Sequence, residues 1–355
     1  MKHQEIIFTN SVAQAIDAVA QSINAPKTFV LVDANTAQLV LPLLQRESQV
    51  VAQAVVIEMQ AGDINKNLDS LAMIWTRLCD NGATRKSLLI NIGGGVVTDI
   101  GAFAGATFKR GIRFLNVPTT LLSAVDAAVG GKTGINFNGF KNEIGAFREA
   151  DAVIISTSFF GTLPRMELLS GYAEMIKHGL ISSEECYNRL LDYDISNADD
   201  ADRLLALLEE SVNVKRRIVE EDPTEKGIRR ALNLGHTVGH AFESLAMHRN
   251  SPIPHGYAVA WGLVVELVLS HLKLKFPSVE LQRLASYIKD NYGVMAITCD
   301  DYPQLLELMH HDKKNESTEI NFTLLDKVGS VHIDCTATES EISTALDIFR
   351  DLMGI

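Results

Sequence analysis

The chain has 355 residues, 46% hydrophobic and 21% charged, a composition that suits packed domains and excludes a disordered chain. Its length exceeds what one core usually spans, so two domains are expected. A formal net charge of −12 leaves no basic excess to displace counterions, so no nucleic-acid partner is expected.

The N-terminus, Met1-Lys2-His3-Gln4-Glu5, lacks the apolar core of a signal peptide. The run Thr28-Phe29-Val30-Leu31-Val32 ends at Asp33 and reads as a strand. Val50 to Ile57, Ser87 to Ile92, Arg113 to Val117 and Ala152 to Ile155 read as four more. Helical patterns cover Asn65 to Cys79 and Val97 to Thr107 between them. This alternation predicts a Rossmann-like α/β N-terminal domain, residues 1–163, with a largely parallel sheet covered on both faces.

From Pro164 the pattern changes to longer amphipathic segments, so residues 164–355 are expected to form a mainly α-helical domain. Helices are predicted over Glu167 to Ile181, Asp202 to Glu220, Ala231 to His248 and His255 to Leu274. Two short strands, around Glu319 to Leu325 and Ser330 to Ile333, precede a final helix from Glu339. The most apolar stretch, Ala258 to Leu269, is interrupted by Glu266 and too short to span a bilayer, so no membrane partner is expected. Cys79, Cys186, Cys299 and Cys335 are scattered and form no CxxC pair, a pattern of reduced, mostly buried thiols in a cytoplasmic protein.

Three groups of residues carry chemistry. Gly93-Gly94-Gly95 follows a strand and opens a helix, where glycines admit a pyrophosphate and the helix N-terminus supplies N–H donors. The spacing is not G-x-G-x-x-G, but Asp99 one turn on, with Asp33 and Asn35 at an earlier strand end, favours a dinucleotide over a bare turn. His236 and His240 lie four residues apart on one helix face, with Glu174 on an earlier helix and His255 opening a later one. Two imidazoles and a carboxylate suit Zn²⁺ or a similar ion; spacing alone assigns His236 and His240 to it. Gly130-Gly131-Lys132-Thr133 resembles part of a phosphate loop, yet the full GxxxxGK[ST] pattern is absent, so a nucleoside-triphosphatase is not expected. Arg110, Lys132, Lys141, Lys177, Lys215 and Arg229 are candidates to meet an anionic substrate.

Read together, these segments closely resemble the dehydroquinate synthase family of sugar phosphate cyclases. The resemblance runs through Gly93 to Asp99, Arg110-Gly111, Pro118 to Leu122, Val125 to Gly134 and Lys141-Asn142. It continues through Leu163-Pro164, Gly171 to Glu174, Asn233 to His240, His255-Gly256 and Asp312 to Lys314. It implies tightly held NAD⁺ and a Zn²⁺ or Co²⁺ ion bound by Glu174, His236 and His255, with His240 moved to proton transfer beside Glu225. Asp33, Asn35, Asp63, Lys66, Gly94, Gly95, Asp99, Thr119 and Thr120, with Lys132 and Lys141, match the nucleotide-binding set. Asp126, Lys132, Asn142, Lys177, Lys215, Arg229, Asn233 and His240 match substrate contacts; Lys132, Lys177, Arg229 and Asn233 count among the catalytic groups. Arg110 and one of Lys313 or Lys314 match the positions that hold phosphate.

The implied substrate is 3-deoxy-D-arabino-heptulosonate 7-phosphate, oxidised at C5, relieved of phosphate by β-elimination, reduced again and closed by an aldol step to 3-dehydroquinate. A homodimer also follows from the resemblance. The departures are Asp63 for a Glu, Phe140 for a Gly, Ala150 and Ser156 for a Pro and an Asp, and the Asn315 to Glu319 run, which lacks the usual basic and glycine residues. The alternatives are another sugar phosphate cyclase and a metal- and NAD-dependent polyol dehydrogenase. A dehydrogenase would not need so many Lys and Arg groups at once.

Overall fold

Apolar runs bounded by polar or glycine positions become the strands of one parallel sheet. β1 (Glu5–Phe8), β2 (Thr28–Asp33), β3 (Val55–Met59), β4 (Leu88–Gly93) and β5 (Arg113–Pro118) belong to it. β6 (Lys132–Phe137) and β7 (Phe140–Phe147) form a separate antiparallel hairpin, and β8 (Ala152–Ile155) returns to the sheet. The strand order is β1-β8-β5-β4-β2-β3. Every position of β4 and β8 is buried, as expected of parallel strands covered on both faces. After β2 the chain steps outward to β3, then returns past β2 to β4 and continues the other way to β5. This reversal leaves a crevice at the C-terminal ends of β2 and β4, where open α/β sheets take their ligands.

In this computed structural model the described residues are 4–138, 140–195, 200–310 and 320–355. The chain divides into two units, Met1–Pro164 with Ala198–Val212, and Arg165–Asn197 with Asn213–Ile355. The division crosses a helix, because the C-terminal part of Ala201–Glu221 belongs to the second unit and residues 201–212 to the first. There the Thr157 hydroxyl donates to the Ala201 carbonyl at 3.2 Å and the Asn10 amide to Asp202 at 3.3 Å.

The second unit is mainly helical. Its principal helices are α2 (Arg165–Ser182), the C-terminal half of α3 (Ala201–Glu221), α4 (His236–His248) and α5 (His255–Leu274); α1 (Gly95–Thr107) belongs to the first unit. β9 (Ile320–Lys327) and β10 (Ser330–Ala337) pair antiparallel before the last helix, Glu339–Met353. Residue 319, expected at the start of β9, lies outside the described residues. α5 is twenty residues long, longer than the apolar stretch inside it, and by length and composition alone is long and apolar enough to cross a membrane. In the fold it is a core helix, buried continuously from Ala258 to Ser270.

Three expectations need correction. Val50 to Ile57 is not one strand: Gln49–Gln53 is a helical turn, and β3 begins at Val55. The cause is a cap supplied from far along the chain. Ser48 accepts the Val51 N–H, while Asp17 accepts from the Ser48 hydroxyl at 2.6 Å and from the Gln49 and Val50 N–H groups at 3.1 Å. Ala231 to His248 is not one helix either. A 3₁₀ segment, Ile228–Asn233, ends before Gly235, whose φ of +80° breaks the path ahead of α4. Only Cys186 of the four free thiols is buried; Cys79 and Cys299 are exposed and Cys335 half-buried.

Candidate functional site

In the first unit, Gly94 caps α1 without a side chain, so the first N–H groups of the helix face outward at the end of β4. A Cβ on Gly93 would stand 2.5 Å from Val97, and one on Gly94 3.1 Å from the Thr120 methyl, so Gly93 has no room for a side chain and Gly94 is tight. Thr119 N–H donates to the Gly93 carbonyl at 3.0 Å, fastening the end of β5 to the turn. Asp33, at the end of β2, is already engaged as a helix cap. It accepts the Thr36 N–H at 2.8 Å and the Thr36 hydroxyl at 2.9 Å through one carboxylate oxygen. Asn35 beside it is exposed.

Lys66 is buried and forms an ion pair with Asp99 of α1, while also donating to the Asn142 side-chain oxygen at 2.5 Å. The β6–β7 hairpin closes on the same place. Asn136 N–H donates to the Lys66 carbonyl at 2.7 Å, its side-chain amide reaches Asp63 at 3.2 Å, and Lys141 stands 3.9 Å from Asp63. Residues assigned to nucleotide and to substrate are thus cross-linked here: Lys66, Asp99, Asp63 and Lys141 with Asn142. The Gly130-Gly131-Lys132 run has positive φ at both glycines and opens a strand rather than a helix, so it is not a phosphate loop of the nucleotide-hydrolase kind. Lys132 is exposed, and Asp126 sits half-buried in a π-helical turn, Ser123–Ala127. Arg110 does not join this group. It precedes β5, and six residues of strand place it about 20 Å from Thr119.

In the second unit, α2 is buried on all sides from Leu169 to Ile181, and Glu174 and Lys177 point into that interior. Their side chains are 0% and 2% exposed and form an ion pair through Oε2, so this is no surface pair. The other oxygen, Oε1, is buried and has no hydrogen-bond partner among the described residues. Facing it are His236 Nε2 at 3.4 Å and His255 Nε2 at 3.6 Å. Three ligand atoms around a tetrahedral ion with bonds of about 2.1 Å stand about 3.4 Å apart, so this spacing fits a bound divalent cation. Glu174, His236 and His255 are the group among the described residues with potential ligand atoms all within 4.8 Å of one another.

Each imidazole is oriented from behind. His236 Nδ1 lies 3.2 Å from the Leu234 carbonyl, and His255 Nδ1 lies 3.2 Å from Glu243 Oε2. Such partners fix the tautomer that presents Nε2 to a metal. Burial works to raise the Glu174 pKa, but Lys177 and the two histidines outweigh it and hold the carboxyl well below its ordinary range. Burial likewise opposes a charged His255; Glu174 and Glu243 outweigh it and push its pKa up to about 9. A cation taking that nitrogen therefore displaces a proton. His240, one turn beyond His236, is outside the ligand-spaced group, although its ring centre is 5.4 Å from that of His236 and 5.8 Å from that of His255.

The remaining candidates lie on α3 and in the segment that follows it. Asn233 donates to Glu225 at 3.2 Å, and the buried Arg229 donates to the Pro223 carbonyl at 2.7 Å. Asp222, which sequence reasoning passed over, accepts the N–H groups of Lys226, Gly227 and Arg229 at 3.0, 2.7 and 3.2 Å and so shapes the loop that carries Glu225. Lys215 is buried on α3. Lys313 and Lys314 lie outside the described residues. Glu243 was also missed; its signal was position, one turn beyond His240 on the same helix.

Residues 56–170 match the family model described as 3-dehydroquinate synthase N-terminal, and residues 171–315 the corresponding C-terminal model. A 3-dehydroquinate synthase of Parabacteroides distasonis is 51% identical over 355 residues, all of both chains. In structure, the chain resembles ValA, the 2-epi-5-epi-valiolone synthase of Streptomyces hygroscopicus, solved with NAD⁺ and Zn²⁺ bound. The TM-score is 0.87 at 22% identity, covering 99% of this chain and 98% of the other. It also resembles a 2-deoxy-scyllo-inosose synthase complexed with carbaglucose-6-phosphate, NAD⁺ and Co²⁺, with a TM-score of 0.81 at 19% identity over 98% and 96% of the chains.

Proposed function

The chain belongs to the 3-dehydroquinate synthase family, and from that membership we propose that it converts 3-deoxy-D-arabino-heptulosonate 7-phosphate to 3-dehydroquinate and phosphate, using NAD and one Zn²⁺ or Co²⁺ ion. The observation that carries this reading is the ligand-spaced group of Glu174, His236 and His255 around a buried carboxylate oxygen with no hydrogen-bond partner among the described residues. The 2-epi-5-epi-valiolone synthase and the 2-deoxy-scyllo-inosose synthase share the fold, but identities of 22% and 19% set them well behind the full-length synthase relative at 51%. The scattered free thiols fit an enzyme of the reducing cytoplasm.

In this reading Glu174, His236 and His255 hold the metal, and Gly94, Gly95 and the open N-terminus of α1 hold the pyrophosphate of NAD, with Asp33 and Asn35 toward a ribose. When bound, the metal supplies Lewis acidity to substrate hydroxyls and NAD supplies reversible oxidation at one carbon. The protein's own groups do the rest. Lys177, paired to Glu174 through Oε2, would offer its remaining ammonium hydrogens to a substrate hydroxyl or carboxylate. Lys215, Arg229 and Asn233 bind the acidic substrate, and Asp126, Lys132 and Asn142 orient its hydroxyls. His240 moves a proton at the substrate, with Glu225, held by Asn233, as its partner in the relay. Arg110, matched to a phosphate-holding position, lies before the N-terminal end of β5, at the opposite end of that strand from Thr119.

Two outcomes follow. Chelation should stop phosphate release from the heptulosonate phosphate, and added Zn²⁺ or Co²⁺ should restore it; release that survives complete metal removal contradicts the reading. Glu243→Gln should weaken metal affinity about 10- to 100-fold by unfixing His255, as measured by competition with a chromophoric chelator.

A further inference from the structure

α4, which carries His236 and His240, begins without a side-chain cap of its own, because Gly235 occupies the cap position with φ +80°. Its leading N–H groups are met from another helix. Glu266 Oε2 accepts the Gly235 N–H at 2.6 Å, and Oε1 accepts the Val238 N–H at 3.2 Å. Glu266 is fully buried on α5, about three turns beyond His255. A buried glutamate is uncommon unless its charge is answered, and here the answer is a pair of N–H donors and the positive end of a helix dipole. The two helices also meet backbone to backbone. A Cβ on Gly262 would stand 2.1 Å from the Gly235 carbonyl oxygen, and one on Gly239 3.0 Å from that of Ala258. A side chain on Gly235 would strike Leu263 at 2.8 Å, so the acceptor for this helix start comes from across the contact.

We propose that Glu266 is a positioning residue of the metal centre: it fixes the first turn of α4 and thereby holds His236 in place relative to His255, which opens Glu266's own helix. The inference rests on the metal reading given above. It assigns a role to the one charge that interrupts the apolar run from Ala258 to Leu269.

The test compares wild type with Glu266→Gln and Glu266→Asp, each loaded with Co²⁺. Glutamine keeps the volume and one acceptor, but turns an NH₂ donor against the second N–H. For Glu266→Gln we expect a Co²⁺ Kd raised about 10- to 100-fold, an altered visible spectrum of the bound ion and faster hydrogen exchange at Gly235 and Val238. Glu266→Asp, which keeps the charge on a shorter arm, should fall between wild type and Glu266→Gln. Unchanged Co²⁺ affinity and spectrum in Glu266→Gln overturn the proposal. A lower melting temperature with an unchanged spectrum also overturns it, since that is a packing role alone. If Glu266→Gln does not fold, Glu266→Asp decides: wild-type affinity and spectrum despite faster exchange at the two amides overturn the assignment. Failure of the metal reading looks different, because then wild-type protein itself takes up no Co²⁺.

Discussion

Replacing His236 by alanine is expected to cost the protein its metal, whereas replacing His240 is expected to leave the metal in place and remove turnover. The two rings are neighbours on one helix, so the contrast separates roles rather than regions. His236 Nε2 stands 3.4 Å from the buried Glu174 oxygen, with its other nitrogen against the Leu234 carbonyl. Protein-bound zinc is worth roughly 12 kcal/mol, shared among three or four ligands. Losing one should therefore cost ~3 kcal/mol, about two orders of magnitude in affinity. His240 contributes no ligand-spaced atom, and loss of a proton-transfer group lowers kcat about 10²- to 10⁴-fold. Metal content after dialysis and single-turnover kinetics check the pair; equal metal loss in both variants contradicts the division.

The second large effect is expected at Gly256. A Cβ there would stand 1.9 Å from the Ser170 carbonyl oxygen and 2.5 Å from its carbonyl carbon, both backbone atoms of α2. Gly256 N–H also donates to the Ser170 hydroxyl at 3.1 Å. α2 carries Glu174 and Gly256 follows His255, so forcing these backbones apart separates two ligands of the same centre. Gly256→Ala should lose about 3 kcal/mol of stability by overpacking, lower the melting temperature of the second unit by about 8 °C, and weaken metal binding with it. Calorimetry with and without added Zn²⁺ reads both effects. A variant with wild-type melting and affinity means that the helices part without consequence for the site.

How far such features can be read from the chain alone differs by element. β2, β4, β5 and β8 and both ends of α5 follow from the sequence because long apolar runs and their bounding residues act locally. The turn at Gln49–Gln53 does not, since its cap, Asp17, lies about thirty positions upstream and no window joins them. The break at Gly235 was signalled by the glycine, but a helical period on both sides of it masks the change of path. The β6–β7 hairpin, where the sequence showed only part of a phosphate-loop pattern, has most of its β7 residues exposed and so shows little of the alternation that marks a half-buried strand.

The site divides in the same way. Spacing within one helix pairs His236 with His240, because a sequence shows neighbours on a helix face and not which ring turns toward α2. Resemblance to a family brought in His255, and the distances group it with Glu174 and His236. The supports behind the ligands, Glu243 and Glu266, were not legible as such. Glu266 was visible only as an interruption in an apolar run, and its two N–H partners come from a different helix.

The most direct measurement follows phosphate and NADH together in one reaction of the metal-loaded protein with 3-deoxy-D-arabino-heptulosonate 7-phosphate. If the synthase reading holds, one phosphate is released per substrate consumed, with no net rise in NADH absorbance. NADH accumulating without phosphate release would contradict it and identify a dehydrogenase instead.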